Sequence, residues 1–225
     1  RQARARQLLD RLHGHVSPEN LAGLLRDKDG LDDKPLGYGN RNAIDGLIAC
    51  HAVIMDVTAG RMWVAAWPNA EGAFVGVAGM KMLDDAAGDA AIAAAASPER
   101  IPADNIMTNG TWERIEAARS ALARGEQAAR IADWSAALAA GDETIRLNPD
   151  FYAGHALKGE ALYRRGSFAA ARAELETALR LDPPYASRRD AITKVMDQCT
   201  TALRTTPSAA LPPSTAPQPV VAPSR

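Results

Sequence analysis

The chain has 225 residues, 47% of them hydrophobic but only 5% aromatic, with alanine supplying much of the apolar content. That composition favours close-packed helices over a bulky aromatic core. With 26 basic and 27 acidic residues the net charge is −1, so no global field recruits nucleic acid or an anionic membrane. Cys50 and Cys199 are too far apart in sequence to suggest a disulfide framework or a zinc site, and no cofactor is expected. The longest core-like run, Leu47 to Met55, is too short to span a bilayer.

The chain opens within an amphipathic helical pattern, Leu8, Leu9 and Leu12, which suggests a piece of a longer protein. Its arginines, Arg1, Arg4, Arg6 and Arg11, read as a solvated face. A second helix starts at Ser17-Pro18-Glu19, with Ser17 as N-cap, Pro18 in the first turn and Leu21, Leu24 and Leu25 as apolar face. Turn formers fill 27 to 42. From Ile44 to Val57 the chain is apolar on both faces, which predicts a strand covered on both sides. Thr58-Ala59-Gly60 turns the chain, Arg61 to Trp67 returns as a strand, and Phe74 to Val77 forms a third. Met80 to Ala96 predicts a helix, and 97–110, with Pro98, Pro102 and Gly110, a linker. These elements place one domain over 1–96.

The segment 111–204 is helical and repeats. Gly125 and Gly159, Trp134 and Phe168, Ala137 and Ala171, and Pro149 and Pro183 each recur at a spacing of about 34. That period resembles the tetratricopeptide repeat: two copies of a helical hairpin, then a capping helix from about Tyr185. Gly159 and Ala171 let the helices approach, Leu162, Phe168 and Leu175 fill the seam, and Pro183 stops the second helix. Gly141 and Thr144 stand where the second copy has Leu175 and Ala178, so the first copy is expected to pack less well. Lys158 stands where the repeat pattern usually has an apolar residue. The Pro/Ala/Ser-rich tail, 205–225, lacks the apolar periodicity that offsets chain entropy and is expected to be disordered.

The run Asn40-Arg41-Asn42-Ala43-Ile44-Asp45-Gly46-Leu47-Ile48-Ala49-Cys50-His51-Ala52-Val53-Ile54-Met55-Asp56 carries a family resemblance, together with Gly60 to Ala65 and Glu71 to Val75. It resembles the C-terminal region of the acyl-coenzyme A:6-aminopenicillanic-acid acyltransferases. The resemblance implies an α+β fold, the C-terminal portion of an αββα N-terminal-nucleophile hydrolase sandwich, followed by the helical stack. It also implies a precursor that cleaves itself before a cysteine, whose α-amino group then activates the thiol. Here that cysteine would lie upstream of Arg1, and the substrate of the full-length protein would be an acyl-amide or acyl-thioester. Within this chain no catalytic residue is assigned.

Other readings of single residues are blander. Cys50 and His51 adjoin on a predicted strand and would point to opposite faces, so core cysteine and buried histidine outweigh a catalytic dyad. Gly37-Tyr38-Gly39 precedes a strand rather than opening a helix and is a turn rather than a phosphate loop. Asn40, Arg41 and Asn42 beside it are placed to reach a substrate cleft. His13 and His15 lack further metal ligands, Asp85 and Asp89 read as solvated surface, and Trp63 and Trp67 as packing on one strand face. The rival function is a non-enzymatic adaptor that binds a peptide or protein along the repeats' inner face, at Arg119, Glu126, Glu160 and Tyr163. Docking of the repeats onto the chain's own N-terminal part is an equal alternative.

Overall fold

The computed structural model describes residues 1–77 and 96–205, so the expected helix Met80 to Ala96, with Asp85 and Asp89, lies outside the described residues except for Ala96, which is in a strand, and so does the tail beyond Thr205. Within them the protein is α+β, an antiparallel four-stranded sheet with helices before it and a helical stack after it.

Helix α1 spans Gln2–Arg11 and helix α2 Pro18–Leu25. Ser17 caps α2 as expected, its hydroxyl accepting from the Asn20 N–H. The buried residue of α1 is not a leucine. Arg4, expected on a solvated face, is 3% exposed and gripped by Asp27 at 2.8 Å and Asp33 at 2.7 Å. These carboxylates sit in the turn-rich segment 27–42, too far along the sequence for helical periodicity to reveal the pairing. Arg26, just past α2, donates to the carbonyls of Ala70, Gly72 and Pro102 and so fastens the helix to two loops around the sheet.

The strands are β1 (Val53–Asp56), β2 (Arg61–Ala65), β3 (Phe74–Val77) and β4 (Ala96–Ile101), paired in that order. The first strand is nine residues shorter at its start than expected from Ile44. The Asp45 carboxylate accepts the Leu47 N–H, an Asx turn, and Leu47 takes a left-handed φ of 52°. That turn ends any extended run there. Cys50 and His51 fall in the irregular stretch before β1 and are exposed rather than buried. The linker expected from Ser97 opens as the edge strand β4. Its pairing with β3 jumps between Val75 and Val77, so the extra residues around Pro98 form a bulge, where a residue without an N–H is tolerated.

One sheet face is core: Ala52, Ile54, Trp63, Phe74 and Ile101 pack with Ala22 of α2. The other carries Val53, Val64 and Val75 in one cross-strand row and Met55, Met62 and Val77 in the next. Val53 is 38% and Met55 61% exposed, so strand β1 is not covered on both sides by the described residues. Trp67 has left the strand and is exposed, its ring edge-on to Trp112, unlike buried Trp63.

Five helices follow: α3 (Thr111–Arg130), α4 (Trp134–Leu147), α5 (Tyr152–Arg164), α6 (Phe168–Arg180) and α7 (Ala186–Thr205). Consecutive helices pack on one another, and the repeated small residues stand at the closest approaches. A Cβ on Gly125 would lie 2.4 Å from Leu157, and one on Gly159 would lie 2.7 Å from Leu175. Ala137, Ala171 and Ala178 are fully buried. The looser packing expected of the first copy is not what its odd residues produce. Gly141 admits the Lys158 backbone, whose Cα would be 3.2 Å from an added Cβ. Thr144 is fully buried with its hydroxyl donating to the Ala140 carbonyl. Lys158 is held by Asp142 at 2.9 Å and Glu174 at 2.8 Å. Among the described residues no helix is long and apolar enough to cross a membrane.

Candidate partner-binding groove

The segment between α2 and β1 is tied to the stack rather than to the sheet alone. The Asn40 amide donates to the carbonyls of Leu181 and Asp182, and the Asn42 amide donates to Asp182. Asn148 donates to the Tyr38 carbonyl, and Lys34 pairs with Asp182 at 3.2 Å. A Cβ on Gly37, at φ 73°, would lie 2.3 Å from Asp150, so the loop sits flush against the turn after α4. Leu47 completes the attachment by packing with Ile106, Trp112 and Ile115.

This docking creates a groove of about 1090 Å³, walled on one side by the loop and on the others by α3, α5 and α7. Its floor is apolar, from Leu122, Leu157, Ile192 and Val195. Its walls are charged: Arg41, Arg119, Arg130, Arg164, Arg188 and Lys194 against only Glu126 and Glu160. A chain of net charge −1 has therefore concentrated positive charge on one concave surface.

The structure brings together Arg41 from the loop and Arg119, Glu126 and Glu160 from the stack. It does not bring Asn40, Asn42 or Tyr163 with them. Asn40 is 3% exposed and, like Asn42, spends its amide on docking the loop. Tyr163 turns to the neighbouring surface of α7, its ring 5.8 Å from Phe168, and Arg164, four residues after Glu160, takes the inner wall instead. Arg119 has a structural duty as well, donating to the Leu47 carbonyl and pairing with Glu116 at 2.9 Å.

The lining residues not expected from the sequence include Tyr152, Tyr185 and Arg188. Arg41 donates to the Tyr185 hydroxyl and lies over its ring at 5.7 Å. Tyr152 stands beside them; burial raises its phenol, while the charges of Arg188 and Arg41 oppose the rise. The signal lay in the last helix, where Arg188, Ala191, Ile192 and Val195 recur at helical spacing and mark a face toward the stack.

A second cluster lies beneath the loop. Glu71 is fully buried with the Lys28 ammonium 3.0 Å from Oε1, and Lys28 is 4.0 Å from Asp45 and 3.7 Å from Asp104. Apart from the Lys28 contact, the buried oxygens of Glu71 and Oδ2 of Asp45 have no well-aligned hydrogen-bond donor within the described structure. Burial and the adjoining Asp45 carboxyl push Glu71 up to about 8, against the pull of Lys28. Lys28 occupies the place a cation would take, and among the described residues no acidic, histidine or cysteine group forms a metal site. Cys50 and His51 make no hydrogen bond to each other among the described residues. Cys199 is fully buried in the α6–α7 seam, and burial pushes its thiol up.

No family model matches the chain, and no curated protein or solved structure matches it either.

Proposed function

We propose that the chain is a binding module of the tetratricopeptide-like kind, whose groove receives an extended segment of a peptide or protein partner. The observation that carries this reading is the single groove built by two regions distant in sequence, 39–48 and 119–198, with an apolar floor and charged walls. Extended segments suit such surfaces: side chains find the floor while the walls select charge. Panning a random-peptide display library on the full chain tests it. Enriched peptides should lose binding when Ala191→Trp or Ala153→Trp obstructs the groove and keep it with Ala169→Trp on the outer surface. No enrichment, or equal loss from all three, would end the reading.

A second reading has its own observation. The rows Val53, Val64, Val75 and Met55, Met62, Val77 leave an apolar sheet face open within the described residues, and such a face wants a covering layer. In the N-terminal-nucleophile sandwich that the sequence resembles, a second sheet would supply it, and the nucleophilic cysteine would lie upstream. The groove would then present a partner, or the substrate's carrier, beside an acyltransferase or amidohydrolase. A longer form carrying the upstream region should split into two fragments, the downstream one beginning with cysteine. An upstream region without a processed cysteine removes this reading and leaves the binding module standing.

A further inference from the structure

The groove's charges specify more than a peptide. Six basic side chains line it, and the described structure gives carboxylate partners to only two of them: Arg119 to Glu116 at 2.9 Å, Arg164 to Glu160 at 3.6 Å. Arg130, Arg188 and Lys194 are exposed and carry no ion pair among the described residues, while Arg41 meets only the Tyr185 phenol. The unneutralised cations are not scattered. Arg41 comes from the loop, Arg188 and Lys194 from α7, and Arg130 from the end of α3, and all four line the groove, Lys194 at its border with the adjoining surface of Asp190 and Asp197.

We infer, on the reading of the groove as a peptide site, that its occupant is an acidic segment with apolar residues between its carboxylates, one carboxylate seated at Arg41, Arg188 and the Tyr185 phenol. Guanidinium groups prefer carboxylates in paired contacts, and Tyr185 holds Arg41 in place for one. Nucleic acid fits less well. Glu126 and Glu160 stand in the same walls and would repel a continuous phosphate backbone, whereas a peptide can place its charges away from them. The floor of Leu122, Leu157, Ile192 and Val195 also asks for aliphatic side chains rather than bases.

The test is fluorescence anisotropy on the full chain with three labelled peptides of one length. One alternates Glu with Leu, the second replaces each Glu by Gln, and the third replaces each by Lys. The acidic peptide should bind at least about tenfold more tightly than the Gln peptide, and the advantage should shrink as salt is raised. Arg188→Glu, with Lys194→Glu as an independent second variant, should remove most of that advantage while leaving the circular dichroism unchanged, since neither residue is buried. Equal binding of the acidic and Gln peptides, or an advantage untouched by both variants, overturns the acidic occupant but leaves a peptide groove. Failure of all three peptides, together with no enrichment in the display experiment, overturns the peptide groove itself. Tight binding of a labelled single-stranded oligonucleotide that Arg188→Glu abolishes overturns the inference in favour of a phosphate ligand.

Discussion

The two halves of this molecule are held together by different physics. From α3 onward each helix packs on its sequence neighbours through small residues, and almost every contact that matters is local and periodic. Before β4 the chain depends on distant polar anchors: Arg4 on Asp27 and Asp33, Arg26 on three carbonyls, and Lys28 on Glu71. The stack leaves a groove with charged walls, whereas the sheet leaves a flat apolar face open within the described residues. Local packing can be read from spacing, while polar anchoring across the sequence is found only by folding the chain.

The largest effect should come where backbone meets backbone. A Cβ on Gly72 would lie 1.9 Å from the Ala66 carbonyl oxygen, which no side-chain rotation relieves. Gly72→Ala should cost about 3 kcal/mol or more, at the upper end for overpacking, measured by chemical denaturation. In the stack, Gly159→Ala meets mainly the Leu175 side chain, and Ala171→Leu meets a closed helix seam. Each should cost about 1–3 kcal/mol, and Ala169→Leu, exposed on the same helix, within about 0.5 kcal/mol. A Gly159→Ala cost exceeding that of Gly72→Ala would reverse the comparison. Equal effects at Ala171 and Ala169 would remove the 34-residue alignment.

The buried carboxyl pair gives a pH signature confined to the N-terminal half. Glu71 is held near 8 when folded and falls to an ordinary carboxylate value when unfolded, so the unfolded chain releases its proton first. Its stabilising effect is complete below about pH 4.5 and is lost as pH rises toward 8. Glu71→Gln should flatten that decline, making the variant relatively more stable at pH 8 than at pH 5 by about 1–3 kcal/mol. Urea denaturation at the two pH values checks it; an unchanged slope contradicts a raised Glu71 carboxyl. The smallest effect belongs to the open sheet face. Met55→Thr should alter the stability of this chain by less than about 0.5 kcal/mol, while Ile54→Ala beside it should cost about 2–5 kcal/mol. A large cost for Met55→Thr would mean that the face is covered.

What the sequence disclosed follows the same division. The helices of the stack, their small contact residues, the Ser17 cap and the strand Phe74–Val77 were legible because each depends on spacing or on one neighbour. The start of β1 was not. Ile44 to Ala52 is as apolar as a strand, and a single Asx turn at Asp45 converts it into a loop docked on helices far along the chain. Ser97-Pro98 signalled a break and instead marks a bulge in an edge strand. In the candidate groove, Arg41 was expected at a substrate cleft from its loop position, and Arg119, Glu126 and Glu160 on a helical inner face. Arg188 and Tyr185 were missed because the last helix reads as a cap until the loop is seen to lie beside it.

The most direct test of the joint groove is site-specific photo-crosslinking to the strongest peptide from the display experiment. A photoreactive residue is placed in turn at Ile48 in the loop, at Leu122 on α3 and at Ala191 on α7, with Ala169 on the outer surface as control. Crosslinks are expected from all three groove positions and none from Ala169. Crosslinking from Leu122 and Ala191 without Ile48 would separate the loop from the site, and crosslinking from Ala169 alone would place the partner on the other side of the stack.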